Sequence, residues 1–239
     1  MKKLLALILA SIMLLSLVAC GKDAGDTDDL GSNDDNEFTD NVYENVLTYD
    51  VNDDGDLEIT GVLSDGIQVL DIKIPAEING RDVTGIGDEA FKACVNLNSI
   101  TFEGELLYVG EAAFYGCSGL KTIVLPETVE TIKANAFRSC TALESVTLSQ
   151  KLEKIELAAF WDCTALKSIS LPADLKTIGG GAFWNCAALT EVVIPAGVET
   201  VGDTAFYGCT ALKSATYTST TELGESVFDN CGDVVVTVK

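Results

Sequence analysis

The chain of 239 residues contains no histidine. That absence removes the commonest general base, the commonest metal ligand and every Ser-His or Cys-His nucleophile pair. Basic residues are scarce as well: 15 Lys and Arg stand against 37 Asp and Glu, a formal charge of −22. Nucleic-acid binding needs Lys and Arg to displace counterions, and anionic lipid attracts basic segments, so this balance argues against both ligands. Composition does not exclude a carboxylate pair for glycoside hydrolysis, since acids abound. Yet no Asp or Glu recurs in a pocket-like context, and the reading is of a protein that is not an enzyme and uses no cofactor and no metal. After the N-terminus, no apolar run is long enough to span a membrane.

What is present begins with a secretion signal over residues 1–19. Lys2 and Lys3 form the charged start, and Leu4 to Leu17 is an almost unbroken apolar run, short for a membrane span. It ends at Leu17-Val18-Ala19-Cys20, which resembles the lipobox of bacterial lipoproteins. That resemblance implies cleavage before Cys20, diacylation of Cys20 and attachment to the outer face of the bacterial membrane. An ordinary signal peptide or a transmembrane anchor is the alternative. Residues 20–45 carry Asp23, Asp26, Asp28, Asp29, Asp34, Asp35, Glu37 and Asp40 against Lys22. Such a segment cannot build a core and reads as a flexible acidic tether.

Residues 46–74 have the pattern of an N-terminal cap. Val46 to Val51 and Leu57 to Val62 alternate apolar and polar residues around Asn52-Asp53-Asp54-Gly55, a strong hairpin signal. Asp50-x-Asn52-x-Asp54-Gly55 also matches the first half of a calcium loop, but Gly61 stands where that loop would need Glu, so the hairpin turn is the better reading.

From residue 75 to 239 one unit repeats, and its last stretch, Val234 to Val238, lacks the full pattern and reads as a C-terminal cap. Phe91, Phe114, Phe137, Phe160, Phe183, Phe206 and Phe228 follow one another at steps of 23, 23, 23, 23, 23 and 22, each with a cysteine three residues on: Cys94, Cys117, Cys140, Cys163, Cys186, Cys209 and Cys231. A fixed period of this size marks a solenoid whose units bury their apolar faces only against one another. Aligned columns give a Leu, then Ile100, Ile123, Val146, Ile169, Val192 and Ala215, then Phe102, Leu125, Leu148, Leu171, Ile194 and Tyr217. The last two columns are spaced by two, so each unit holds a short strand, and the strands should stack in parallel about 4.8 Å apart. Pro126, Pro172 and Pro195 stop three of them. A second apolar pair follows, as in Val129 with Ile132, then a turn that is often glycine; Lys133 and Glu156 in that turn column show that φ > 0 is not obligatory there. The paired Ala and Phe return the chain to the core.

The unit Leu120-x-x-Ile123-x-Leu125-Pro126-x-x-Val129-x-x-Ile132, closing with Ala136-Phe137-x-x-Cys140, resembles the BspA-like class of bacterial leucine-rich repeats. Ile74 to Gly87, with its Asn79-Gly80 insertion, resembles that family's usual first repeat. The resemblance covers roughly residues 46–239. It implies a leucine-rich-repeat solenoid of stacked parallel strands with short turns or helical segments behind a hairpin cap, in a cell-surface family with varied binding roles and no conserved catalytic residues.

Two columns remain open to several readings. The repeat cysteines form a line, not the convergent cluster that a metal needs. Neighbouring units would nearly meet disulfide spacing, but a column of buried free thiols fits better, since free Cys behaves as a small hydrophobe. The residue after each Phe reads Lys92, Tyr115, Arg138, Trp161, Trp184, Tyr207 and Asp229. Tyr115, Arg138, Trp161, Trp184 and Tyr207, with both tryptophans of the chain, either form an exposed contact stripe or fold back to seal the Phe core. The outward strand column Ser99, Thr122, Ser145, Ser168, Glu191 and Ser214 is small and polar. The expected partner is an extracellular protein or glycan. The alternatives are a structural role in envelope assembly with no soluble ligand, and a carbohydrate-processing accessory.

Overall fold

The computed structural model describes residues 18–21, 46–64 and 70–239. Most of the expected signal peptide and tether lies outside these residues. The N-terminal strands are β1 (Val18–Gly21), β2 (Val46–Val51), β3 (Leu57–Ser64), β4 (Leu70–Ile74), β5 (Glu77–Ile78) and β6 (Arg81–Ile86). The repeats add β7 (Leu97–Phe102), β8 (Tyr108–Val109), β9 (Thr122–Val124), β10 (Thr131–Ile132), β11 (Ser145–Thr147), β12 (Lys154–Ile155) and β13 (Ser168–Ile169). They close with β14 (Thr177–Ile178), β15 (Glu191–Val193), β16 (Thr200–Val201), β17 (Ser214–Tyr217), β18 (Glu222–Leu223) and β19 (Val235–Val238). No helix occurs among the described residues; the segments expected as turns or helical pieces are turns.

The hairpin cap forms as the pattern requires. β2 and β3 pair antiparallel, and the Asn52 carboxamide oxygen accepts the N–H groups of Asp54 at 3.1 Å and Asp56 at 3.0 Å. The Asn52 oxygen is thus spent on the turn, while its Nδ2 donates to Thr84 Oγ1 at 3.0 Å. β3 then pairs parallel with β6 and puts Leu57 and Ile59 over the first coil's core. β5 and β6 fold back on each other around Asn79 (φ 54) and Gly80 (φ 74), the two left-handed residues of a tight hairpin turn.

The repeats stack as parallel coils, but the longest ladder is not the one the sequence suggested. An 11-stranded sheet runs β1-β3-β6-β8-β10-β12-β14-β16-β18, with β2 and β5 attached to its side. Its repeat strands carry the second apolar pair: Ile132 lies opposite Ile155, and Ile178 opposite Val201. The strand column seen first in the sequence is divided into β4-β7, β13-β11-β9 and β15-β17-β19. Three of its strands stop short of Pro126, Pro172 and Pro195, which have no N–H to continue a ladder.

The core is one column of side chains. Phe91, Phe114, Phe137, Phe160, Phe183 and Phe206 are fully buried, and consecutive rings from Phe91 to Phe228 stack with centroids 5.0–5.6 Å apart. Each buried Phe contributes about 2–3 kcal/mol through removal of apolar surface. The backbone around each Phe supplies the second bond between coils. The N–H of Phe114 donates to Ala136 O at 2.7 Å, that of Phe137 to Ala159 O at 2.7 Å, and that of Phe160 to Ala182 O at 2.7 Å. The residues two before and two after each Phe have φ between 52° and 74°; in the coil of Phe160 these are Ala158 and Asp162. Left-handed residues at these two places turn the N–H groups of alternate residues forward toward the next coil. Most of them are not glycine, so they carry backbone strain of order 1 kcal/mol each that the ladder overcomes.

Cysteine completes the arm. Each Phe carbonyl from Phe91 to Phe206 accepts the N–H of the Cys three residues on and also a thiol from the next coil. Phe114 O takes Cys117 N–H at 3.1 Å and Cys140 Sγ at 3.0 Å; Phe137 O takes Cys140 N–H at 3.2 Å and Cys163 Sγ at 3.1 Å. The thiol fills the second lone pair of a buried carbonyl, a donor that alanine at this position would lack. Cys117, Cys140, Cys163, Cys186, Cys209 and Cys231 are buried free thiols. Of the seven repeat cysteines these six are free thiols, and Cys94, at the head of the column, is fully buried.

Two outcomes follow from this packing. Phe160 lies between two stacked neighbours, so Phe160→Ala leaves a cavity and should lower stability by about 3–5 kcal/mol in urea unfolding. Phe228 is half-buried and stacks on one side only, and Phe228→Ala should cost clearly less; equal losses would contradict coil-by-coil stacking. The second outcome concerns alkali. Burial pushes the Cys140 thiol up to about 12 and holds those of Cys117, Cys163 and Cys186 well above the usual thiol range. The unfolded chain therefore loses these protons first as pH rises, so the thiols' contribution is whole below about pH 9 and declines above it. Stability should fall steeply between about pH 9 and 12, and replacing Cys140 and Cys163 with Ala should flatten that fall. An unchanged slope in the double variant would count against the ladder as its source.

Candidate functional site

The five residues singled out in the column after Phe come together as one stack. The Trp161 and Trp184 rings lie 4.4 Å apart and 1° from parallel, and Trp184 stacks on Tyr207 at 4.1 Å and 22°. The Arg138 guanidinium carbon lies 5.0 Å from the Trp161 ring centre and 5.8 Å from that of Tyr115. The order Tyr115, Arg138, Trp161, Trp184, Tyr207 thus forms a continuous π and cation–π ladder along the solenoid. All five side chains are half-buried. Neither a free-standing stripe nor a complete core seal describes them: their faces are packed on one another, and their outer edges carry indole N–H, phenol O–H and guanidinium donors.

The backbone is shaped for this ladder. Gly181 has φ +58°, and a Cβ there would lie 2.9 Å from Cε3 and Cζ3 of Trp161. Glycine answers both the left-handed turn and the close approach of the indole. Arg138 Nη1 donates to Asn135 Oδ1 at 3.2 Å, while its Nε is buried without a hydrogen-bond partner. Beside the ladder, Asn185 Nδ2 donates to Asp162 Oδ1 at 2.7 Å and joins two adjacent coils. The stack holds no nucleophile beside a base, and among the described residues no cluster of His, Cys, Asp or Glu is suited to a metal ion.

The column's flanks differ from its centre. Lys92 is half-buried and bonds to Glu89 at 2.7 Å, and Asp229 is exposed. For Cys20, the structure places the backbone in β1 opposite Val62; its side chain, and with it the expected lipid attachment, lies outside what is described.

Three further features were not legible in the sequence. The strand face is less uniformly polar than its Ser and Thr column suggests, because Val124 and Val193 are 64% and 60% exposed. A pocket of about 490 Å³ opens where β13 and β15 fail to pair, lined by Ser168, Ile169, Ser170, Leu171, Val193 and Pro195 among others. A smaller polar pocket of about 280 Å³ lies at the cap between Asn52, Asp54, Glu58, Tyr108 and Lys133. There Tyr108 donates to Glu58 Oε2 at 2.7 Å, and burial, reinforced by Glu58, pushes its phenol above the usual range. Lys133 lies 4.9 Å over the Tyr108 ring and pairs with Asp88 at 3.5 Å. These groups satisfy one another and fasten the cap to the first coils.

Residues 114–235 match the family model described as the BspA type leucine rich repeat region, in six copies. Among solved structures, a leucine rich repeat protein of T. pallidum is 30% identical, with a TM-score of 0.71, over 79% of this chain and 88% of its own. A leucine-rich repeat protein from Bacteroides ovatus is 23% identical with a TM-score of 0.37, over 80% of this chain and 69% of its own. No curated protein matches.

Proposed function

The chain belongs to the BspA type leucine rich repeat family, and we propose that it is a non-catalytic binding protein displayed on the bacterial cell surface, anchored through lipid on Cys20. Its contact surface is the ladder Tyr115, Arg138, Trp161, Trp184 and Tyr207. The observation that carries this reading is the stack itself. Trp, Tyr and Arg dominate the energetics of protein interfaces, above all where they are held rigid before binding. Here each inner member is already clamped between neighbours, so a partner would order little side-chain freedom on docking.

The same geometry favours a protein over a glycan. A sugar ring would need a free aromatic face to lie on. In the ladder Trp161 has Arg138 on one side and Trp184 on the other, and Trp184 has Trp161 and Tyr207. Ring edges with N–H and O–H donors suit the carbonyls and side chains of a polypeptide. The excess of acidic over basic residues, still 37 against 13 if Lys2 and Lys3 are removed with the signal, further favours a partner that is not strongly acidic.

The test compares the wild-type chain with a Trp161→Ala/Trp184→Ala double variant against secreted host and bacterial proteins and a glycan array. A protein ligand should bind the wild type and lose more than about 2 kcal/mol of affinity to the double variant, with little change in melting temperature. In the same chain Gly181→Ala should shift the tryptophan emission by displacing Trp161, and acrylamide should quench the wild-type emission in part. Early unfolding of the double variant with unquenchable wild-type emission would make these residues core packing instead. The anchor is tested separately: Cys20→Ser should leave the membrane, and continued membrane association of that variant would contradict it.

A further inference from the structure

The Ser and Thr face of the solenoid is held less tightly at one joint than on either side of it. On this face the N–H of Glu144 donates to Lys121 O at 2.8 Å, and that of Lys213 to Thr190 O at 2.9 Å. Between them the equivalent bonds lengthen, to 3.2 Å from Lys167 N–H to Glu144 O and 3.3 Å from Thr190 N–H to Lys167 O. Just beyond the longest of these, β13 and β15 do not pair at all. In the Phe arm the same two coils stay close: Phe160 N–H donates to Ala182 O at 2.7 Å, and Trp161 and Trp184 stack at 4.4 Å. The joint is thus a wedge, closed at the arm and open at the strands, and the pocket of about 490 Å³ is its mouth. That volume falls within the range of about 300–1,000 Å³ typical of small-ligand sites.

A parallel ladder engages N–H and C=O groups of both strands, so the unpaired joint leaves donors and acceptors together on the facing edges of β13 and β15. The side chains at the mouth extend that mixture. The hydroxyls of Ser168 and Ser170 each donate and accept, and the Glu191 carboxylate accepts. All three residues are exposed. Leu171, Val193 and Pro195 add an apolar wall, of which Val193 is 60% exposed. Glu191 is the one charge in the lining. The neighbouring Lys167 is paired with Glu144 instead.

We infer that the open joint between β13 and β15 is a binding site for a neutral saccharide, separate from the aromatic ladder. The lining restricts the occupant by elimination. An anion would meet Glu191 with no cation in the lining to offset it. A metal ion would find a single carboxylate, and among the described residues no cluster is suited to one. A hydrocarbon would leave the strand edges and both hydroxyls desolvated and unpaired. An alkyl ammonium carries donors only, so the N–H groups of the strand edges would go unanswered. A sugar meets all of these demands. Each of its hydroxyls both donates and accepts, and two adjacent hydroxyls can donate to the two oxygens of Glu191. Its C–H face would lie on Leu171, Val193 and Pro195, while Ser168, Ser170 and the open strand edges take the remaining hydroxyls.

The experiment applies the full chain to an array printed with host glycans and bacterial polysaccharides, in neutral, sialylated and sulfated forms, and titrates each neutral hit by calorimetry. Neutral saccharides should bind with an affinity that added salt leaves unchanged, and anionic analogues should bind about tenfold or more weakly. The two halves of the array distinguish a host source from a bacterial one. Glu191→Gln, close to isosteric, should weaken the neutral ligand about tenfold and narrow its lead over the anionic analogues. Ser170→Phe, which fills the mouth, should abolish binding. Thr147→Phe, at the matching outward position where β11 is paired, should leave binding intact. Positions 147 and 170 are both exposed, so neither change should move the melting temperature; if Ser170→Phe does unfold the chain, Glu191→Gln carries the test. Failure of every neutral saccharide to bind overturns the inference, and so does binding confined to simple amines that weakens as salt rises. Neutral binding that Glu191→Gln and Ser170→Phe leave intact, and that Trp161→Ala/Trp184→Ala removes, would put the sugar on the ladder and overturn it as well.

Discussion

Each core phenylalanine donates its backbone N–H to the residue just before the next phenylalanine, at 2.7–2.9 Å, in six consecutive steps from Phe91 to Phe206. Much of the molecule depends on that bond. It brings successive rings into a stack with centroids 5.0–5.6 Å apart, and it fixes the spacing at which the side chains one residue on can stack in turn. It also requires the chain to hold left-handed conformations on both sides of the ring. The local cost is repaid only when another coil is present to accept the bond. Stability in such a chain is therefore a property of neighbouring pairs more than of single units.

Because every rung has the same direction, the solenoid has a polarity that its sequence does not advertise. Inside the stack each donor meets an acceptor and the direction has no consequence. At the ends it leaves donors on one side and acceptors on another. The N-terminal end is covered by the hairpin of β2 and β3, with Leu57 and Ile59 packed over the first coil. The end formed by β18, the Phe228 arm and β19 has no comparable cover among the described residues. The contrast separates two surfaces with different physics: the half-buried ladder on the flank, whose faces are already satisfied, and the terminal face, whose backbone is not.

Much of this was legible in the sequence. The period, the Phe column and the Cys column lay in plain alignment, and Asp54-Gly55 between alternating runs marked the cap hairpin. What escaped were the relations between coils. The left-handed positions are filled by Glu89, Ala112, Asn135 and Ala158 as well as glycine, so no residue type signals them. Glycine instead marks the turn column of Gly110, Gly179 and Gly202, where φ is not left-handed and a Cβ would press on the preceding coil's backbone at 2.4–2.6 Å. The continuous ladder falls on the shorter apolar pair because prolines interrupt the longer strands. The stripe column was found from residue type, but its stacking depends on Gly181, one coil further on. The gap between β13 and β15 has no counterpart in the repeat pattern.

The most direct test of the coil-to-coil bond is native-state hydrogen exchange at the phenylalanine amides. Phe114, Phe137, Phe160 and Phe183 each donate to a following coil and should exchange only through global opening or the unzipping of several coils. Phe206 should exchange faster, and Phe228, whose N–H has no acceptor among the described residues, should be the least protected of the series. Equal protection across all seven, or strong protection at Phe228 in a monomeric sample, would contradict the account.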